Sequence, residues 1–191
     1  EFEQLVGKEN VFSSEADRQS YAYDAAVLKP MIPSLVVRPT EVEQLGQVVK
    51  RCYEEGIPMT VRGSGTNLTG GTIPDCSDTI VILTTGLNKI LEINTEDLYA
   101  TVQPGVITAK FAAAVAAKGL FYPPDPGSMS VSTIGGNVAE SSGGLRGLKY
   151  GTTKDYVMGM EVFANTGALV KTGPRTVKCA TGYHIAPLLV G

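Results

Sequence analysis

The sequence predicts an α+β fold that combines a small β-α-β lobe with a larger lobe of mixed or antiparallel strands and helices. Three observations predict this fold. Residues 35–61 have the pattern of a strand, a helix and a second strand, which is typical of a parallel unit. Residues 90–103 and 157–171 each have the pattern of a hairpin. The alanine-rich residues 108–118 predict a helix between the two hairpins.

The β-α-β unit begins with a short buried strand over Leu35–Val37. Thr40 and Glu43 have the spacing of a capping box, so we expect Thr40 to cap the following helix and Glu43 to reach back to it. The helix then repeats apolar residues at the period of one face. Those residues are Val42, Leu45, Val49 and Cys52.

The helix is predicted to end at Gly56, which suits the left-handed C′ position, and Pro58 cannot continue it. Met59–Val61 is predicted as a second buried strand. That strand leads into Gly63–Gly71, which holds four glycines and four hydroxyl or amide side chains in nine residues. Because such residues disfavour the interior of a helix or strand, this stretch is predicted to be a loop.

The later elements follow in chain order. The β-branched stretch Thr79–Thr84 predicts a strand, and Gly119 ends the helix that starts at Thr108. The first hairpin is expected to pair 90–94 with 99–103 around a turn at 94–97, and the second to pair 157–164 with 168–171.

The predicted domain organisation is an N-terminal helical arm followed by one two-lobed domain. The arm covers residues 1–29 and the domain covers 30–191, in lobes of about 30–85 and 86–191. The chain begins without Met and ends within an apolar run, so we expect a fragment of a longer protein, truncated at its C-terminus.

The loop Gly63–Gly71 suits a concave nest of backbone N–H groups that closes on an anion such as a diphosphate. It matches neither the G-x-G-x-x-G dinucleotide fingerprint nor a Walker A loop. Taken alone, it is as compatible with an ordinary Gly-rich surface turn as with an anion cradle. A second Gly/Ser-rich region over 123–151 favours the cradle, and its interleaved apolar residues predict an ordered loop that forms a cofactor wall.

Composition and charge exclude several functional classes. The net charge of −3 argues against nucleic acid and anionic membrane surfaces as partners. No apolar run approaches the roughly 18 residues of a transmembrane helix. The single histidine, His184, cannot form a multi-histidine metal site, so we expect no metal.

Three scattered cysteines, Cys52, Cys76 and Cys179, predict neither a disulfide framework nor a zinc site. Together with a start that lacks the basic region of a signal peptide, they predict a cytoplasmic location. Peripheral association of the full-length protein with a membrane is compatible with that location.

Two loops that offer backbone donors and few charges suit a large, flat, partly anionic cofactor, and FAD fits this description. Its diphosphate needs N–H donors, and its isoalloxazine needs apolar walls with a few donors. A nucleotide-phosphate protein without flavin is the alternative that the residues leave open.

The motifs resemble those of the FAD-binding domain of the vanillyl-alcohol-oxidase/PCMH superfamily, and most closely its branch of glycolate oxidase subunit GlcD and D-lactate dehydrogenase. The segments that carry the resemblance are Arg62–Gly71, Pro124–Ser128, Thr133–Asn137, Tyr150–Gly151 and Gly182–Tyr183. They lie in family order across most of residues 30–191. The resemblance implies a PCMH-type FAD-binding fold with FAD lying between the two lobes.

The resemblance also implies the cofactor-binding residues. The diphosphate would be cradled by the backbone of Arg62, Gly63, Ser64, Gly65, Thr66 and Asn67, with Gly70 and Gly71. The adenosine and ribityl portion would lie near Pro124, Asp125, Gly127 and Ser128. The flavin side would be lined by Thr133, Gly135, Gly136, Asn137, Ser141, Gly143 and Gly144, and Tyr150, Gly151, Val157 and Val162 complete the predicted set.

Two positions distinguish this chain within the resemblance. Members with flavin linked through the first loop carry a histidine where Thr66 stands, so non-covalent FAD is expected. His184 follows Gly182-Tyr183 where the branch often has Asp. A satisfied structural side chain is the more frequent role of such a single histidine than catalysis.

The implied function is hydride transfer from a 2-hydroxy acid resembling glycolate or D-lactate to flavin N5, by a flavin-dependent dehydrogenase or oxidase. The catalytic residues are unknown from this chain, because the resemblance places them on a substrate domain that the chain lacks. The alternatives are a flavoenzyme of the same superfamily for another alcohol or sugar acid, and a non-catalytic flavin-binding subunit. A small-molecule hydroxy acid is the expected substrate, and electron-acceptor subunits and an oligomeric assembly are both compatible with the sequence.

Overall fold

The computed structural model describes residues 1–178, 180 and 182–191. Backbone contacts divide the chain into two compact units. Unit 1 comprises Glu1–Leu87 and Phe163–Leu169, and unit 2 comprises Asn88–Val162 and Val170–Gly191. Cys179, one of the three cysteines considered above, lies outside the described residues.

Unit 1 is built on a four-stranded mixed sheet with flanking helices. Its strands are β1 (Val11–Phe12), β2 (Leu35–Val37), β3 (Met59–Arg62) and β4 (Ile80–Leu83), and its helices are α1 (Phe2–Val6), α2 (Glu15–Gln19) and α3 (Val42–Glu54). The strand order is β1-β2-β4-β3, with β1 antiparallel to β2 and both β2 and β3 parallel to β4. The predicted β-α-β unit is confirmed, and β4 lies between its two strands.

Part of the N-terminal region predicted as helical is instead β1, which pairs with β2 at the edge of the sheet. A strand of two residues has no periodic pattern, so the sequence carries no signal for it. Helix α2 lies in the same region, and the Ser14 hydroxyl caps it by accepting a hydrogen bond from the backbone N–H of Asp17 at 3.2 Å.

Helix α3 begins one residue later than predicted. Its N-cap is Glu41, and Gln44 completes the capping box in place of Glu43. The side-chain oxygen of Gln44 accepts from the backbone N–H groups of Thr40 at 2.9 Å and Glu41 at 3.1 Å. The usual pattern has Ser or Thr at the N-cap and therefore favours Thr40, whereas here Glu41 takes that position at the same spacing from Gln44. At the other end Gly56 has φ +66°, which confirms the predicted left-handed position.

Alternate side chains of the sheet enter different apolar clusters, so both faces are covered. One face packs against α3 in a cluster that contains Val37, Val48, Val49, Cys52, Ile80 and Ile82. The other face forms a cluster of Val36, Val81 and Leu83 with Phe12 and Tyr21. The thiol of Cys52 belongs to the first cluster, and burial, with a smaller effect of the Glu55 charge, raises its pKa to about 11.

The prediction of a fully buried strand at Met59–Val61 is wrong for Val61, which is 53% exposed. The reason is topological, since β3 lies at the edge of the sheet. By contrast, every residue of β4 is buried, as expected for a central parallel strand.

The later part of the chain forms two two-stranded sheets and three α-helices within the described residues. The strands are β5 (Ile90–Asn94), β6 (Tyr99–Val102), β7 (Met160–Phe163) and β8 (Leu169–Thr172), and the helices are α4 (Thr108–Ala116), α5 (Ile134–Glu140) and α6 (Gly147–Tyr150). β5 pairs with β6 and β7 with β8, which confirms both predicted hairpins, and α4 confirms the predicted helix between them. The core of unit 2 contains Val106, Phe111, Val115 and Ile134.

The region 123–151 is ordered, as predicted, but it is not a continuous loop. It contains α5 and α6, which the sequence pattern does not predict. Both are short and rich in glycine, so helix propensity carries no signal for them. The α+β fold class is confirmed, and among the described residues no helix has the length and apolar character needed to cross a membrane.

Candidate cofactor-binding site

The first glycine loop follows β3 and leaves several of its backbone donors uncommitted. Gly63, Gly65 and Thr66 are half-buried, and their N–H groups donate to no other described residue. The carbonyl of Gly65 accepts from the N–H of Ala25 at 3.1 Å, so the N–H of Thr66, in the same trans peptide, points to the opposite side. Uncommitted N–H groups beside a glycine with positive φ are what an anion-binding nest requires.

A buried carboxylate holds this loop to the N-terminal segment. Asp24 is 9% exposed, and its Oδ1 accepts from the N–H of Ala26 at 2.8 Å. Its Oδ2 accepts from Nδ2 of Asn67 at 2.7 Å and from the hydroxyl of Thr72 at 3.1 Å. Asn67 within the loop and Thr72 just after it are therefore joined through one carboxylate.

Arg62, the last residue of β3, lies behind the loop. Its guanidinium is buried and donates from Nη1 to the carbonyl of Tyr23 at 2.6 Å and to Oγ1 of Thr72 at 3.2 Å. It also lies over the ring of Tyr21, 5.7 Å from the centroid. The Arg62 side chain is thus occupied within the protein, and the predicted cofactor contact of this residue is left to its backbone.

The two charged groups of this cluster have shifted pKa values. Burial acts to raise the pKa of Asp24, but hydrogen bonds from Ala26, Asn67 and Thr72 outweigh it and hold the pKa below its ordinary value. Burial lowers the pKa of Arg62, and the negative charge of Asp24 opposes this effect. The carboxylate is therefore ionised at neutral pH beside a buried cation.

Gly65 and Gly70 both have positive φ and lie against other parts of the protein. Gly65 has φ +69°, and a Cβ there would overlap the guanidinium of Arg62. Gly70 has φ +79°, and a Cβ there would meet Cδ1 of Leu28, the end of an exposed side chain that can move aside. Both glycines let the N-terminal segment and Arg62 lie directly against the back of the loop.

In unit 2, the predicted residues around α5 stabilise the start of that helix. Thr133 is its N-cap, and its hydroxyl accepts from the N–H of Gly136 at 3.3 Å. The N–H of Gly135 donates to the carbonyl of Pro104 at 2.8 Å. A Cβ on Gly135 would lie 2.6 Å from Cβ of Pro104, so glycine is needed for this close approach.

Asn137 belongs to a buried polar cluster in the same unit. Its Nδ2 donates to Oγ1 of Thr108 at 2.8 Å, and that hydroxyl lies 2.9 Å from the hydroxyl of Ser132. The cluster joins the first turn of α4 to α5. The Asn137 side chain is therefore buried and hydrogen-bonded within the protein, and it is not exposed to a ligand.

Asp125 and Gly144 form a close contact. A Cβ on Gly144 would overlap the carbonyl oxygen of Asp125. The Asp125 carboxylate accepts from the backbone N–H of Arg146 at 3.1 Å and lies 3.4 Å from its Nε. The predicted ligand residue Asp125 thus fixes the turn that precedes α6.

Ser141 and Gly151 are held by neighbouring polar side chains. The hydroxyl of Ser141 lies 2.9 Å from Oγ1 of Thr152, and the backbone N–H of Thr152 donates to Oδ2 of Asp155 at 2.8 Å. Gly151 has φ +83°, and a Cβ there would overlap the Asp155 carboxylate. These contacts fix the segment between α5 and β7.

The other predicted site residues differ in their exposure. Gly71, Gly127 and Tyr150 are exposed, Pro124 is buried, and Ser64, Ser128, Gly143, Val157 and Val162 are half-buried. His184 is exposed. Within the described residues, no group of three or more His, Cys, Asp or Glu side chains is placed to hold a metal ion.

Sequence reasoning missed Asp24 and Thr72, which support the first loop. Asp24 lies 43 residues before its partner Asn67 and 48 before Thr72. The sequence places Asp24 in an N-terminal arm that shows no pattern of chemistry. An isolated acidic residue in an irregular segment carries no signal of such distant partners.

A half-buried loop of uncommitted N–H groups, backed by a buried cation, is chemically suited to an anionic group. The comparisons with known proteins agree with this chemistry. The family described as FAD binding domain matches residues 33–173. The chain belongs to this family, and FAD is its cofactor, as the sequence predicted.

Two relatives and one solved structure extend the comparison. Glycolate oxidase subunit GlcD of Bacillus subtilis is 49% identical over 98% of this chain and 40% of its own length. D-lactate dehydrogenase of Anaerostipes hadrus is 36% identical over 100% of this chain and 40% of its own length. The structure of p-cresol methylhydroxylase with substrate bound has 28% identity and a TM-score of 0.78, and covers 90% of this chain and 34% of that one. The PCMH-type fold that the resemblance implied is confirmed, and the chain spans about 40% of the length of these curated relatives.

Proposed function

We propose that this chain is the FAD-binding part of a flavin-dependent dehydrogenase or oxidase that acts on a 2-hydroxy acid such as glycolate or D-lactate. The names of the relatives, a glycolate oxidase subunit and a D-lactate dehydrogenase, support this substrate class. The observation that carries the cofactor role is the first glycine loop, with its uncommitted N–H groups and the buried guanidinium behind it.

In this proposal the backbone N–H groups of Gly63, Gly65 and Thr66 hold the FAD diphosphate. A hydrogen bond to a charged group contributes about 1.5–3 kcal/mol, so three donors hold a diphosphate without a lysine. Thr66 offers no imidazole for a covalent link, which supports non-covalent binding. The cofactor contacts predicted for unit 2 are also part of this proposal, and the family resemblance is what supports them.

Bound FAD would supply an acceptor for the hydride that leaves the substrate α-carbon. This chain would contribute binding and orientation of the cofactor. The groups that bind and deprotonate the substrate are proposed to lie in the part of the protein outside this chain. An electron acceptor, either dioxygen or a partner subunit, would complete the cycle, and the scattered cysteines support a cytoplasmic setting.

Anaerobic reduction of the full-length, FAD-loaded protein tests the substrate class. Glycolate and D-lactate are mixed separately with the protein, and the visible flavin absorption is followed, with L-lactate as the stereochemical control. We expect D-lactate or glycolate to bleach the flavin bands faster than L-lactate does. A protein whose flavin is reduced by dithionite but by none of these acids would favour a non-catalytic flavin-binding subunit or another substrate class.

A further inference from the structure

The hydrogen bonds behind the first glycine loop converge on one hydroxyl. Oγ1 of Thr72 accepts from Nη1 of Arg62 at 3.2 Å. The same hydroxyl lies 3.1 Å from Oδ2 of Asp24 and 3.2 Å from Oδ1 of Asn67, so it can donate to either oxygen. It therefore connects the buried cation, the buried carboxylate and the loop itself.

The N-terminal segment supplies the other half of these contacts. The carbonyl of Tyr23 accepts from Arg62, the N–H of Ala25 donates to the carbonyl of Gly65, and the N–H of Ala26 donates to Asp24. The bond from Ala25 fixes the Gly65 carbonyl, and the N–H of the same peptide is that of Thr66, one of the uncommitted donors. A peptide whose carbonyl is fixed on one side presents its N–H on the other, which is the orientation that an anion nest needs.

Electrostatics give the two charges distinct roles. Burial of a guanidinium without a nearby negative charge would strongly destabilise the fold. Asp24 provides that charge, and the Thr72 hydroxyl lies between the carboxylate and the guanidinium. The carboxylate accepts hydrogen bonds from Ala26 and Asn67 and lies 3.1 Å from the Thr72 hydroxyl, so its oxygens face these three residues. The uncommitted N–H groups of the loop are then the partially positive groups that remain available to an anion.

We propose that Asp24 and Thr72 are positioning residues for the FAD diphosphate, and that the segment 21–26 is thereby a structural part of the cofactor site. The proposal rests on the proposed function, because it assumes that FAD binds at this loop. Neither side chain is proposed to touch the cofactor. Their effect is to hold Arg62, Asn67 and Gly65 in the conformation that binds it.

The test is the dissociation constant of FAD, measured by flavin fluorescence on the flavin-free full-length protein. In Asp24→Asn either orientation of the new amide sets its NH2 group against an N–H donor, that of Asn67 or that of Ala26, so we expect FAD to bind at least about tenfold more weakly. Glu43→Gln removes an exposed carboxylate of the same unit and should bind FAD as wild type does. Equal affinity in Asp24→Asn and wild type would overturn the proposal while leaving FAD binding itself intact.

A second pair of variants keeps the proposal testable if Asp24→Asn does not fold. Thr72→Val keeps the side-chain shape but removes the hydroxyl, and Thr72→Ser keeps the hydroxyl. We expect weaker FAD binding in Thr72→Val, by about threefold to tenfold, and recovery to within about twofold of wild type in Thr72→Ser. Loss in both variants, or in neither, would contradict a role for the hydroxyl. A wild-type protein that binds no FAD would instead refute the proposed function.

Discussion

Gly65 is the residue at which the loop, the buried cation and the N-terminal segment meet. Its positive φ and its contact with Arg62 exclude a side chain for two separate reasons. In the sequence, the loop glycines indicate close approach of a cofactor. The structure shows that Arg62 already fills the space behind Gly65. A side chain at this position would therefore displace Arg62 and destabilise the protein, whether or not a ligand is bound.

Replacement of Gly65 by alanine should therefore lower both stability and FAD affinity. The left-handed conformation alone costs about 1–2 kcal/mol for a residue with a Cβ. Gly56 is the matched control, since it has φ +66° and nothing lies within 4 Å of the position that a Cβ would occupy. We expect Gly56→Ala to lose stability in urea unfolding but to keep the FAD dissociation constant, and Gly65→Ala to lose both. Parallel loss of affinity in the two variants would refute the role of the Arg62 contact.

The lowered pKa of Asp24 makes a prediction about acid stability. A carboxyl whose folded-state pKa lies below its unfolded value of about 3.9 stabilises the fold fully above that value, and this stabilisation is lost as the pH falls toward the folded pKa. We expect the free energy of unfolding of wild type to fall more steeply below about pH 4 than that of Asp24→Asn. Urea unfolding at several acidic pH values measures both slopes. Glu43→Gln should keep the wild-type slope, and identical slopes in wild type and Asp24→Asn would count against an ionised, hydrogen-bonded Asp24.

At the scale of elements, the segment from α5 to α6 replaces the long loop that the sequence predicted. Glycine and serine content indicated irregular backbone, but Thr133 caps α5 and Asp125 holds the turn before α6. The bond from Asp125 joins residues that composition alone does not connect. The β-α-β unit was predictable for the opposite reason, because its apolar period and the glycine after α3 are local signals.

The contact between Gly144 and Asp125 gives the prediction at this scale. Gly144→Ala would place a methyl group on the Asp125 carbonyl and should cost about 1–3 kcal/mol of unfolding free energy. Gly147→Ala is the control in the same segment, because nothing lies within 4 Å of its Cβ position. That change adds a helix former at the start of α6 and should be neutral or stabilising. Equal destabilisation of the two variants in urea unfolding would show that the close approach is unimportant.

At the scale of the whole molecule, the fold class, both hairpins and the FAD family were predictable from patterns within short segments. The support of the first loop by Asp24 was not, since it depends on where an irregular N-terminal segment lies after folding. Asn67 illustrates the difference, because the sequence marks it as a loop residue and only the structure shows its side chain bound to Asp24. Binding motifs are local in the sequence, whereas the residues that orient them are distant.

Binding of FAD through the first glycine loop is the property on which the proposed function depends. The most direct test is a titration of the flavin-free full-length protein with FAD, followed by visible absorption, in wild type and in Gly65→Ala. We expect resolved flavin bands that saturate at one FAD per wild-type chain, and weaker binding in Gly65→Ala. A folded wild-type protein that leaves the FAD spectrum unchanged would contradict FAD binding. Equal saturation of both proteins would contradict the assignment of the loop.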